Sequence, residues 1–414
     1  MQALGCHGSH SEVGRTMRAL PRRDGIGNVR VGDLIFCIAL SIFIIQGYLE
    51  TTMFVDLFPA SFFSQIKAAC LALVAFKLVI DSVDKKAVIL AVGAAVVLVS
   101  TLTMLESGYN VPIVLAAFLL GAIGVDFDRI VRLYLVLTSI LFAFTVLSCV
   151  FGIIDNVSVP KGSRALLCYG FTYTTELSAH VTYTALAFYY VFRKKLTWIH
   201  TALVVAAALL TYALTEGRLA LVLMLLSAAV VVFIDYRKRH AVASTYQPHC
   251  GAFVWSYVAV ALLSFVLMVV YSDTGFLGFL NNLFTGRLHW AHLGFEQYGL
   301  TLFGQEIDMQ GWGRGIVLWA EDYFYIDCSY VKILLRFGIV TLVAVLVVAT
   351  LGAWRAFDKK DYCLLAILVL VAIAAFINEH LMDLCYNIFI LAGFAVVDGS
   401  RNDSCSGVSD GGEA

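Results

Sequence analysis

Residues 87–105 read AVILAVGAAVVLVSTLTML, an apolar run without one charged side chain. Wound as an α-helix at about 1.5 Å per residue, it matches the ~30 Å hydrocarbon core of a bilayer. A helix on a soluble surface buries one stripe and offers water the rest, and this run has no polar face to offer. Similar blocks recur at Ile35–Tyr48, Ile130–Ile154, Thr197–Leu214, Gly251–Tyr271 and Ile339–Ala353. Hydrophobic residues make up 61% of the 414, charged residues 14%, and mean hydropathy is +0.87. A soluble domain is about a quarter charged. The chain is therefore expected to be an all-α, polytopic integral membrane protein. About twelve spans are expected, near 32–50, 62–80, 87–105, 111–124, 130–153, 177–192, 197–214, 218–235, 252–271, 328–351, 362–378 and 382–397.

Charge then sorts the connections into two sets. Most of the 28 Lys and Arg fall at the termini and in short connections such as Arg193-Lys194-Lys195 and Asp235–His240. The alternate connections hold only Lys161, Arg164, Arg218, Arg287 and Arg314. Cytoplasmic connections are the ones enriched in Lys and Arg, so both termini are expected in the cytoplasm. Residues 1–31 read as a basic tail, 32–398 as the membrane domain and 399–414 as a second polar tail. No cleavable signal is expected. The net charge of −1 gives no reason to expect nucleic acid. The ten cysteines show no CxxC and no metal-ligand spacing, so no metal and no cofactor are expected. Cys168 and Cys328 both fall outside, which leaves a disulfide between them open.

Three outer segments stand apart: Asp155–Glu176, the Thr215–Arg218 turn, and a large polar loop at 272–327. Each carries an arginine on the side where the charge bias disfavours one. Arg164, Arg218 and Arg287 could each anchor a helix to lipid headgroups or pair with a carboxylate such as Glu216. A guanidinium also offers a planar fork of donors that matches phosphate oxygens, and it stays charged at any physiological pH. Arg314 sits in a glycine-rich run, Gly311–Gly315, that suits either flexibility or an anion nest. Aromatic residues including Tyr173, Trp290 and Tyr330 flank these arginines. They fit an interfacial belt, and equally faces on which sugar rings stack. Asp327, Glu379 and His289 are among the groups able to take a proton on this side. Asp327, where the long loop meets the next span, also suits a helix N-cap. Asp126-Phe127-Asp128 reads as a solvated turn.

Five stretches, in this order, are similar to the bacterial O-antigen and capsular polysaccharide polymerases, the Wzy proteins, which are related to the O-antigen ligases. They are RALLCYGFTYTTELSAH (Arg164–His180), TEGRLAL (Thr215–Leu221), TGRLHWAHLGFEQYGLTLFGQE (Thr285–Glu306), IDCSYVKILLRFGI (Ile326–Ile339) and INEHLMDLCYNIFIL (Ile377–Leu391). The likeness covers roughly 164–391. Cys328 stands where the family usually has asparagine, and Asp327 where ligases usually have histidine, which favours polymerase over ligase.

The resemblance implies a GT-C-like membrane glycosyltransferase in the bacterial cytoplasmic membrane, acting without a metal. Its substrate would be a glycan on undecaprenyl diphosphate, with a flippase and a chain-length regulator as partners beside membrane lipid. Arg218 and Arg287 would meet charge on the departing diphosphate, with Arg164 a third candidate, and Asp327 or a nearby histidine would receive the acceptor's proton. Tyr173, Glu216, His289, Trp290, Arg314, Tyr330 and Glu379 complete the expected substrate contacts. The competing expectations are a ligase-type glycan transfer and a flippase, which would line a central cavity with charges from several spans.

Overall fold

The computed structural model describes residues 30–82, 87–161, 164–240, 250–315 and 323–398. Most of residues 1–31 and all of 399–414, read above as tails, lie outside the described residues. The chain is helical almost throughout, in the order α1 (Val31–Glu50), α2 (Ala60–Ser82), α3 (Ala87–Ser107), α4 (Val111–Gly121) and α5 (Phe127–Val150). A two-stranded antiparallel hairpin, β1 (Ser158–Lys161) and β2 (Arg164–Leu167), precedes α6 (Thr174–Phe192), α7 (Trp198–Thr215) and α8 (Arg218–His240). After α9 (Ser256–Val270) come α10 (Gly275–Leu283) and α11 (Arg287–Tyr298), then α12 (Ser329–Lys332). A π turn at Ile333–Phe337 leads into α13 (Gly338–Asp358), which is followed by α14 (Tyr362–Ile377).

Seven of the described helices are long and apolar enough to cross a membrane. Gly93–Ser107 of α3, and the whole of α4 and α14, are shorter apolar stretches. Large apolar residues such as Ile140, Phe144, Leu210, Val222, Phe233 and Leu262 are exposed, as they must be where lipid is the solvent. Between helices a few contacts are hydroxylic: Thr103 and Thr341 share a hydroxyl–hydroxyl hydrogen bond at 2.9 Å. Such bonds are worth about 0.6 kcal/mol in a membrane bundle, so packing sets the arrangement more than polarity does.

The segment expected as a twelfth span, 382–397, is not an α-helix. It runs as two short 3-10 turns, His380–Met382 and Ile388–Gly393, joined by irregular chain. Its apolar composition equals that of a span, and composition alone cannot tell the two apart. The bundle supplies what a helix would have supplied internally. Tyr134 donates from its hydroxyl to the carbonyls of Cys385 (3.1 Å) and Tyr386 (2.8 Å), and Asn387 donates to Leu381 O at 2.8 Å. At its far end Val396 exchanges backbone bonds with Val125 (2.8 Å) and Phe127 (3.0 Å). Irregular backbone at membrane depth survives only when protein encloses it, and residues 380–393 are almost wholly buried. Four rings stack through the centre: Tyr48 on His180 (4.0 Å), His180 on Tyr386 (4.2 Å), Tyr386 on His380 (3.8 Å).

Two opposite faces follow from the contacts. Arg30 (to Gly124 O, 2.5 Å) and Arg193 (to Asp128, 2.7 Å, and Asp361, 3.0 Å) mark one end. Here Asp126 caps α5 by accepting from the Asp128 amide at 3.0 Å, so the Asp-x-Asp pair is structural. The other end gathers the hairpin, the 215–218 turn and the long segment after α9. Thr52 bridges Phe171, and Arg314 N donates to Thr172 O at 2.8 Å. We call this the loop face. The segment read as a polar loop at 272–327 is itself partly helical, since α10 and α11 lie within it.

Candidate functional site

The chain turns sharply before α11. Thr285 (φ 57°) and Gly286 (φ 87°) both take left-handed conformations, and Arg287 follows as the first residue of the helix. Its guanidinium is fixed on several sides. Nε donates to Ile377 O at the end of α14 (2.8 Å), and Nη1 donates to Phe284 O (3.2 Å) and to the Thr285 hydroxyl. A helix C-terminus presents unpaired carbonyls with partial negative charge, which suits a cation. Asp327 lies 3.4 Å from the same Nε, and the two side chains are 16% and 26% exposed. The cation and the acid named separately from the sequence thus form one ion pair at the loop face.

Asp327 departs from its expected cap role. The N-cap of α12 is Cys328, and no side chain caps the helix. Burial raises the Asp327 pKa above the ordinary aspartate value, while Arg287 and Lys332 draw it down. Tyr173, the residue before α6, feels both Asp327 and Arg287; burial first and Asp327 second raise its pKa. Tyr323 and Tyr325 are raised in the same way, chiefly by burial and then by nearby carboxylates. Around them stands an aromatic wall. Tyr323 meets Trp290 edge-on at 5.1 Å and stacks on Trp312 at 5.5 Å and 20°.

Beneath this cluster a cavity of about 250 Å³ opens among α6, α12, the π turn and the irregular 378–398 segment. Lys332 forms an ion pair with Glu379 there, and the Tyr325 hydroxyl donates to the same carboxylate. The Tyr386 hydroxyl donates to Glu176. Lys332 lies 5.0 Å from the Tyr325 ring, and the Arg336 guanidinium lies over the Tyr109 ring at 3.3 Å. The π turn places Lys332 and Arg336 on one side of the helix, and such turns concentrate at functional sites.

The other expected residues fall elsewhere. Arg218 is exposed as the first residue of α8, and its guanidinium has no hydrogen-bond or ion-pair partner among the described residues. Glu216 ends α7 in a left-handed conformation (φ 51°), and the turn packs on Ser178 of α6. Arg314 pairs with Asp56, an exposed ion pair that ties the long segment to the 3-10 turn Met53–Leu57 after α1. His289 turns away toward Asp273 at 3.8 Å, although its ring still meets Trp290 at 5.1 Å. Tyr330 is a core residue: it is 2% exposed, and its hydroxyl donates to Ala372 O at 2.9 Å. Its place is between helices and not in the open site. The Arg164 side chain and residues 316–322 lie outside the described residues. Cys168 and Cys328 are both free thiols.

Sequence reading passed over Lys332 and Arg336 as charges near the end of a span. Their spacing of four places them on one helix face, and ionisable residues inside a span mark function by default, so a signal was present. No protein family, curated protein sequence or solved structure matched the chain.

Proposed function

We propose that the chain is a membrane glycosyltransferase that polymerises glycan units carried on a lipid diphosphate, at the loop face, which we take to be the outer face of a bacterial cytoplasmic membrane. The observation that carries this reading is the Arg287–Asp327 pair: a fixed cation beside a carboxylate of raised pKa, at the loop face. Undecaprenyl diphosphate is the carrier that the sequence resemblance suggests. The twelve-span topology and cytoplasmic termini belong to the same proposal.

The chemistry needs two groups. An acceptor hydroxyl attacks the anomeric carbon, the bond from that carbon to the diphosphate oxygen breaks, and the lipid diphosphate leaves with the electron pair. The hydroxyl proton passes to the Asp327 carboxylate. Arg287 already has Nε and Nη1 engaged, so Nη2 is the donor it presents to a phosphate oxygen. A bound diphosphate competes with Asp327 for this guanidinium, and the carboxylate becomes more basic as Arg287 turns to the phosphate. Arg218, exposed at the head of α8, supplies a second cation. The Trp290–Tyr323–Trp312 wall gives sugar rings a face to stack on.

A transport reading draws support from one observation, the charged cavity lined by Lys332, Arg336, Glu176 and Glu379. It would require that cavity to reach both faces. The two readings separate in glycan-producing cells that carry Arg287→Ala. Loss of a fixed donor to a developing charge costs on the order of a hundredfold in rate, so long glycan should fall to single units while the protein stays in the membrane. Glycan of unchanged length would overturn the polymerase reading. Lipid-linked units trapped on the inner leaflet would point to transport instead.

A further inference from the structure

The cavity beneath the Arg287–Asp327 pair is unused by the chemistry above. It holds groups of both signs. Lys332 and Glu379 neutralise one another, Glu176 accepts from Tyr386, and Asp383 also faces the space. Arg336 is 9% exposed; its guanidinium bonds to Tyr109, and its buried Nε has no hydrogen-bond partner among the described residues. A buried donor left unpaired is costly, more so when it belongs to a charged group, so a ligand that accepts from the guanidinium gains by binding.

The lining decides which ligand. A free anion would meet Arg336 but would be repelled by Glu176, Asp383 and Glu379. A bare cation would meet those acids but would be repelled by Lys332 and Arg336. A neutral polyol escapes both conflicts, because each hydroxyl accepts from a cation and donates to a carboxylate. Tyr109 and Tyr325 add rings on which the C–H side of a pyranose stacks. Pockets for drug-sized ligands run from about 300 Å³ upward, so a cavity of about 250 Å³ admits one ring and not an oligosaccharide.

The geometry points to this cavity as a subsite for a single neutral pyranose residue, with Arg336, Glu176 and the Tyr109 ring as its specificity contacts. This rests on the glycosyl-transfer reading, of which it names the sugar class. The test is saturation-transfer NMR on the full chain in lipid nanodiscs. The probes are methyl α-D-glucopyranoside, methyl α-D-galactopyranoside, N-acetylglucosamine, glucuronate and inorganic phosphate.

At least one neutral sugar should receive saturation, with glucuronate and phosphate silent. Arg336→Gln should weaken that signal at least tenfold, and Tyr109→Leu serves in its place if Arg336→Gln does not fold. No transfer to any neutral sugar overturns the subsite, as does a signal unchanged in the folded variant or one displaced by phosphate. Glycan length in Arg287→Ala cells reads the parent proposal separately. Sugar binding without loss of length would sink the transferase and keep the subsite, and the reverse pair would sink the subsite alone.

Discussion

Gly338→Ala should cost far more stability than Gly299→Ala, although both glycines hold nearly the same backbone conformation. Gly338 has φ 86° and ψ 169°, and Gly299 has φ 66° and ψ −165°. That region is almost exclusive to glycine, and a side chain there costs about 1–3 kcal/mol. A Cβ on Gly299 would meet nothing within 4 Å, so torsion is its whole cost. A Cβ on Gly338 would lie 2.4 Å from Leu302 O and 2.5 Å from Gly304 N, against the 3.4–4 Å of ordinary contact. The 301–305 chain would have to withdraw. Withdrawal breaks Ile339 N to Thr301 O (3.0 Å) and Val340 N to Leu302 O (3.1 Å), each worth about 1 kcal/mol. The excess over Gly299→Ala is then about 2 kcal/mol, or about thirtyfold in the unfolding equilibrium. Reaction of the buried thiols Cys363 and Cys385 with a maleimide dye during SDS titration would report it. Equal costs for the two variants would refute the interlock of 301–305 with 336–340.

The remaining predictions concern charge. If Asp327 accepts the proton, transfer proceeds with its carboxylate ionised, so the rate holds above its folded pKa and falls as pH drops through it. Because burial raises that pKa, the acid limb of chain elongation in membrane vesicles should lie above the ordinary aspartate range, and Asp327→Asn should remove activity at every pH. At the opposite end, Arg193 is 7% exposed and bridges Asp128 and Asp361. Arg193→Ala leaves Asp361 and Asp128 without their cation, with only Leu364 N and the Tyr190 hydroxyl still donating to them, and should cost about 3 kcal/mol, read in the same thiol assay; a loss below 1 kcal/mol would contradict the network.

Much of this was legible in the chain before any geometry. The apolar runs required helices, and the arginine in TGRLHW and the aspartate in IDCSYV were separately singled out on one side. Their pairing across forty positions was not legible, since nothing local ties residue 287 to residue 327. The Asp327 cap failed for a local reason: α12 begins two residues later, with Cys328 between. Arg314 looked like a ligand contact because its partner, Asp56, is more than 250 positions away. Tyr330 looked interfacial, yet the helix begins a residue before it and turns the ring inward. The 382–397 stretch misled most, because its residues are as greasy as a span and its irregular path depends on Tyr134 and Asn387.

That irregular stretch has a consequence for how the protein is made. A translocon releases a segment into lipid on hydrophobicity, yet lipid cannot satisfy non-helical carbonyls. Residues 378–398 reach their shape only where α1, α5 and α6 already stand, because those helices supply Tyr48, Tyr134 and His180. All of them emerge from the ribosome first. Synthesis therefore ends the membrane domain with a docking step, and until it is complete the cavity has no wall from Glu379, His380 or Tyr386. Chains stalled at that step would be inserted and helical while still open to the proteases that survey the membrane.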